Sequence, residues 1–188
     1  MYFSFRMKKD IPAAAILAVF SMVAGISAHP IDKPSVASVD KPQWVPRPLT
    51  DVPPKPATVG EIEISAVGLT ARVVEGDDAR ILRLAVGHIP GTAVPGPSGN
   101  VGLAGHRNTF FRPLRKIKVG DEIRFSTANG IFKYRVVSLR VVLPNAIEVL
   151  NYTQLPTLTL VTCYPFYSIG AAPKRLIVHA EMVPALLS

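Results

Sequence analysis

Apolar and polar residues along the C-terminal two-thirds of the chain alternate with a period of two. Glu61-Ile62-Glu63-Ile64, Asp121-Glu122-Ile123-Arg124-Phe125 and Phe132-Lys133-Tyr134-Arg135-Val136 each place every second side chain on one face. That spacing is the signature of half-buried strands. Val136 to Leu143, Thr157 to Cys163 and Arg175 to Ala180 are further strand segments, rich in β-branched residues. Asn129-Gly130 lies between two alternating runs and predicts a two-residue hairpin turn of the I′ kind. Only Ala79 to Val86 and Phe111 to Lys116 read as short helices or turns, and no long amphipathic helix is present. The expectation is an all-β domain, a small antiparallel barrel or sandwich.

The first third of the chain follows other rules. Arg6, Lys8 and Lys9 precede an uncharged stretch from Ile11 to Ala28. At a rise of about 1.5 Å per residue, such a helix covers about 27 Å, close to the hydrocarbon thickness of a bilayer. Basic residues ahead of it place the start inside and the remainder outside. Two readings fit: an uncleaved signal-anchor, which is favoured, or a signal peptide cut after Ala28. Between His29 and Thr58 come eight prolines and no apolar period, which predicts an extended, semi-rigid linker. Trp44 is its one large apolar residue. The expected organisation is therefore a cytoplasmic basic segment (1–10), a membrane helix (11–28), a proline-rich linker (29–58), a folded domain (59–184) and a short tail (185–188). The chain would be single-pass in the cytoplasmic membrane, with its folded domain on the extracytoplasmic side.

Charge alters this picture little. The chain carries 21 Lys and Arg against 13 Asp and Glu, a net charge of +8. Basic residues with interleaved aromatics in a nucleic-acid motif are missing, so nucleic acid is not an expected partner. The cluster Arg107, Arg112, Arg115, Lys116 and Lys118 reads as a solvated face. Six glycines between Gly87 and Gly105 lack the Gly-Lys-Ser/Thr of a phosphate cradle, and no set of acidic residues has calcium-loop spacing. No cofactor and no metal are expected.

Candidate chemistry centres on Cys163, the sole cysteine, at the end of Thr159-Leu160-Val161-Thr162-Cys163 and before Tyr164-Pro165. A thiolate is the working nucleophile of such a residue, and it needs a proton carrier and an oxyanion partner nearby. Gly105-His106 lies 57 residues upstream and Arg175 lies 12 residues downstream, opening the last strand. Alternation puts Arg175, Ile177 and His179 on one face of that strand and Lys174 on the other. His88 also follows a glycine, in a loop rich in proline and glycine, and reads as a structural histidine. His179 reads as a packed or surface strand residue.

The strand Thr-Leu-Val-Thr-Cys, with this upstream histidine and downstream arginine, resembles the sortase family of cysteine transpeptidases. Gly102-Leu103-Ala104-Gly105-His106-Arg107-Asn108-Thr109-Phe110-Phe111-Arg112-Pro113-Leu114 and Thr159 to Phe166 are most similar to its class D members. The resemblance implies a closed β-barrel of about eight strands over Val59 to Val183. It further implies Cys163 as nucleophile, His106 as general acid and base, Arg175 as oxyanion or substrate-positioning residue, and Thr162 as a substrate-binding residue. The implied partners are proteins with a C-terminal sorting motif of the Leu-Pro-x-Thr-Gly kind, and an amine acceptor from a cell-wall precursor or a pilin lysine. A hydrolase using the same residues, or a barrel without turnover, are the alternatives. Tyr164, Phe166 and Tyr167 either line a peptide groove or cap the barrel.

Overall fold

A computed structural model describes residues 56–167 and 170–184 of the 188-residue chain. The expected membrane helix, the linker with Trp44 and the C-terminal tail lie outside the described residues. Among those described, no helix is long and apolar enough to cross a membrane.

Eight strands close into a barrel. They are β1 (Thr58–Ile64), β2 (Leu69–Glu75), β3 (Val86–His88), β4 (Asn100–Gly105), β5 (Glu122–Thr127), β6 (Gly130–Val142), β7 (Thr157–Tyr164) and β8 (Lys174–Met182). Their order around the barrel is β1-β2-β3-β4-β7-β8-β6-β5. The one α-helix among the described residues, α1 (Ala79–Leu84), links β2 to β3, and the Asp78 carboxylate caps it by accepting from the amides of Arg80 and Ile81. Single 3-10 turns follow at Arg112–Lys116, between β4 and β5, and at Ile147–Leu150, between β6 and β7.

The barrel is closed as expected, but it is not purely antiparallel. Strand β2 pairs parallel with β3, and β4 pairs parallel with β7. A parallel pair needs a crossover rather than a tight turn; α1 supplies the first, and the whole β5–β6 hairpin lies within the second. Two runs read as separate strands, 132–136 and 136–143, form the single strand β6, with an irregularity between Val136 and Ser138 that bends it onto β8. The hairpin at Asn129 is present one residue earlier than expected. Thr127 pairs with Gly130, so Ala128 and Asn129 link the strands and Gly130 takes φ +131°.

Alternation sorts the side chains into two packed layers. Ile62, Leu103, Phe125, Tyr134, Leu158, Leu160 and Val178 fill the barrel interior. On the outer side of β4, β7 and β8, Ala104, Val161 and Ile177 form a second cluster with Leu82 of α1 and Ile89. Val142, Val149 and Leu150 pack against that cluster. Strand β4 is therefore covered on both faces, and all six of its residues are buried.

Close packing fixes the end of β4. A Cβ on Gly105 would lie 2.7 Å from two ring carbons of Phe111, which is fully buried. Gly105→Ala is expected to destabilise the domain by about 1–3 kcal/mol, since an extra carbon in a filled core forces neighbours off their rotamers. Thermal unfolding should register this as a midpoint lowered by about 4–12 °C.

Candidate active site

Strand register brings the three candidate residues to one edge. In the parallel β4–β7 pair Gly105 is opposite Thr162, and in the antiparallel β7–β8 pair Cys163 is opposite Arg175. His106 is the next residue after Gly105, so it follows β4 out of the ladder level with Cys163, the penultimate residue of β7. Alternation gives all three the same side. Gly102, Ala104 and His106 share the outer face of β4, Thr159, Val161 and Cys163 that of β7, and Arg175, Ile177 and His179 that of β8. The row Ala104–Val161–Ile177 lies immediately inward and is buried. The row His106–Cys163–Arg175 is half-buried, at the mouth of this apolar layer.

Thr162 faces the opposite way. Its hydroxyl is completely buried and donates to the Gly105 carbonyl at 2.7 Å. In this position the hydroxyl acts as a brace. The brace ties the residue before Cys163 to the residue before His106.

The remaining histidines occupy other environments. His88 is buried, with Nδ1 2.7 Å from a Glu75 carboxylate oxygen and Nε2 2.9 Å from the Ala93 carbonyl. Both ring nitrogens are engaged, as a structural histidine requires. His179 Nδ1 lies 3.2 Å from the Thr159 hydroxyl. Burial depresses its basicity, which the Glu181 carboxylate opposes and Arg140 reinforces.

His106 also titrates below the ordinary imidazole range. Burial is the larger cause, and the positive charge of Arg83, at the end of α1, adds to it. Nothing in the spacing of the chain pointed to Arg83, because only the α1 crossover carries it to this edge.

Arg107 corrects the reading of the basic cluster. It is a clamp rather than a solvated cation: Nη1 donates to the Pro165 carbonyl at 2.7 Å and Nη2 to the Gly170 carbonyl at 3.0 Å. One guanidinium fork thus holds the loop that leaves Cys163 against the turn that contains His106. Arg175 Nη1 donates to the carbonyls of Ala172 and Lys174 at the other end of that loop. Tyr164 and Phe166 meet edge to face and pack on the barrel core. With Tyr167, Leu114, Ile117, Leu139 and Leu176 they also line a groove of about 480 Å³. The aromatic residues therefore cap the barrel and line a groove at once.

A closed eight-stranded barrel that aligns a cysteine, a histidine and an arginine on adjacent strand ends defines a class of cysteine enzymes. The chain belongs to the sortase family: the sortase domain profile matches residues 62–183. Sortase D of Bacillus subtilis is 34% identical over 125 residues, covering 66% of this chain and 63% of that protein. The match thus spans less than two-thirds of that relative's length. Among solved structures, the Clostridium perfringens Sortase D5 transpeptidase superposes with a TM-score of 0.62 at 34% identity, covering 68% of this chain and 79% of that one. Sortase A from Corynebacterium diphtheriae superposes with a TM-score of 0.65 at 28% identity, covering 70% and 63%. Two of these three relatives carry the D designation, in keeping with the class D resemblance of the motifs.

The cause of the His106 shift is testable without any substrate. A cation beside the ring disfavours its protonated form, so Arg83→Gln should move the His106 titration midpoint upward, towards the ordinary imidazole value. NMR titration of the His106 ring protons reads this directly. An unmoved midpoint would leave burial as the whole cause.

Proposed function

We propose that this protein is a membrane-anchored transpeptidase that cleaves a C-terminal sorting motif of the Leu-Pro-x-Thr-Gly kind and transfers the protein to an amine of the cell envelope. The alignment of His106, Cys163 and Arg175 on one half-buried edge carries this reading. Cys163 Sγ, as thiolate, attacks the carbonyl carbon of the motif's threonine. Arg175 stabilises the negative charge that develops on the carbonyl oxygen. His106 protonates the departing amine nitrogen as the C–N bond breaks, leaving a thioester on Cys163. The incoming amine then loses its proton to His106, attacks the thioester and releases the thiolate, in a ping-pong sequence.

The basic N-terminus and the uncharged stretch 11–28 support attachment to the membrane, with the proline-rich linker holding the barrel away from it. The hydrolase alternative uses the same thioester with water as acceptor.

Cys163→Ala is expected to abolish cleavage of a fluorogenic sorting-motif peptide and to retain the wild-type thermal midpoint, within about 1 °C, because a half-buried thiol at a strand end packs few atoms. With the wild-type enzyme, adding an amine acceptor should yield a ligated peptide by mass spectrometry. Cleavage that persists in the alanine variant would sink the assignment. Cleavage without ligation at any acceptor concentration would identify a hydrolase.

A further inference from the structure

We infer that Asn100, oriented by Thr159, is a latch that holds the β6–β7 segment over the outer face, and thereby a positioning residue for binding of the acyl donor. The inference rests on the transpeptidase reading for its functional half and on contacts within the described residues for its structural half.

Asn100 opens β4 and is 97% buried, being only 3% exposed. Its amide nitrogen lies 3.0 Å from the Val149 carbonyl and 3.3 Å from the Asn151 carbonyl. An atom facing two carbonyl oxygens must be the NH2 group, so both of its hydrogens are committed to this segment. The carbonyls in question belong to the last turn of Ile147–Leu150 and the residue after it, where a helical turn leaves acceptors unsatisfied. The amide oxygen therefore faces the other way, and accepts from the Thr159 hydroxyl at 2.8 Å. Having given its one hydrogen to Asn100, that hydroxyl meets His179 Nδ1 as an acceptor. Side chains from β4, β7 and β8 thus form one directed chain of hydrogen bonds that ends on the β6–β7 segment.

The segment so held covers the apolar layer that leads to the site. Val149 and Leu150 pack on the cluster of Ala104, Val161 and Ile177. Two of those residues are two positions before His106 and Cys163 on the same strand faces, about 7 Å away. The approach is close: a Cβ on Gly102 would lie 2.9 Å from Thr92 and 3.1 Å from Leu150. A peptide approaching Cys163 from this side meets the rim of the segment that Asn100 pins. If losing the latch leaves the segment in its held position a tenth of the time, apparent affinity for the donor falls about tenfold, while chemistry at Cys163 is unaffected.

The test uses the full chain with a sorting-motif peptide as donor and an amine acceptor. Asn100→Ala and Asn100→Asp should raise the donor KM about tenfold, with kcat and acceptor KM within about twofold. The rate of Cys163 alkylation by iodoacetamide should be unchanged. Thr159→Val keeps the shape and removes the hydroxyl; it should raise the donor KM less, and add nothing to Asn100→Ala, because it acts through Asn100. Thr159→Val also serves if the Asn100 variants do not fold. A donor KM unmoved in Thr159→Val and in a folded Asn100 variant, or a fall in kcat alone, would overturn the inference. Should the wild-type enzyme give no Cys163-dependent cleavage or ligation, the transpeptidase reading fails instead. The latch is then read by hydrogen exchange: faster exchange of the 147–151 amides, with β4 and β7 unchanged, upholds it, and unchanged exchange refutes it.

Discussion

The register of the parallel β4–β7 pair governs the site. With Gly105 opposite Thr162, the residues that come next along the two strands are His106 and Cys163. A slip by one residue would send one of the two side chains into the barrel and leave the other outside. Parallel pairing between strands this far apart in sequence has no turn to set its register. Side chains set it here. Leu103, Leu158 and Leu160 must enter the interior while Ala104 and Val161 join the outer layer. The Thr162 hydroxyl then locks the two ends together through the Gly105 carbonyl. Gly105 is needed at that point because the ring of Phe111 occupies the space a side chain would fill. The glycine and the threonine flanking the chemistry thus serve the alignment of their neighbours.

The same pair of strands has to be covered on both sides, and that requirement shapes the surroundings of the site. Barrel residues cover one face. On the other, α1, the loop after β3 and the β6–β7 segment supply Leu82, Ile89, Val149 and Leu150. Each of these pieces is short and irregular, so its backbone polar groups need partners that no ladder provides. His88, Thr92 and Asn100 provide them: His88 engages the Ala93 carbonyl, Thr92 bonds the Ile89 carbonyl and the Gly102 amide, and Asn100 takes two carbonyls after β6. Buried polar side chains on this outer layer are therefore the supports of its connections. The cost of burying them is offset because each finds a partner.

Much of the barrel was legible in the sequence, and the reasons for the gaps are physical. Strands β1 and β5 and the first half of β6 alternate because one of their faces meets solvent or a thin cover. Strand β4 does not alternate, since both faces are buried, and Asn-Val-Gly-Leu-Ala-Gly gives no period to read. Strand β3 is three residues long, too short for any pattern. Parallel pairing escaped notice because alternation reports which face a residue takes and not the direction of the neighbouring strand. Cys163, His106 and Arg175 stand out in the chain because strand position and local motif both mark them, and the register brings them to one edge. Thr162, expected by resemblance to bind substrate, has its hydroxyl engaged by the Gly105 carbonyl on the opposite face. Arg107 and Asn100 were missed for one reason: their partners are main-chain carbonyls, which carry no trace in the identity of the residues that bear them.

Electrostatics at this edge bears on how the proposed chemistry runs. Departure of the amine requires protonated His106, yet burial and the Arg83 charge both favour the neutral ring. At neutral pH the protonated ring is then the smaller population. Each ring that is protonated is a correspondingly stronger acid, which speeds proton delivery to the leaving nitrogen. The two effects oppose each other, and the neutral majority is itself the form that accepts the proton of an incoming amine. A histidine held towards its neutral form by burial and the Arg83 charge is thus suited to alternate between the two half-reactions. The fork of Arg107 ties the turn that contains His106 to the loop that leaves Cys163, so the proton carrier and the nucleophile are held by one clamp.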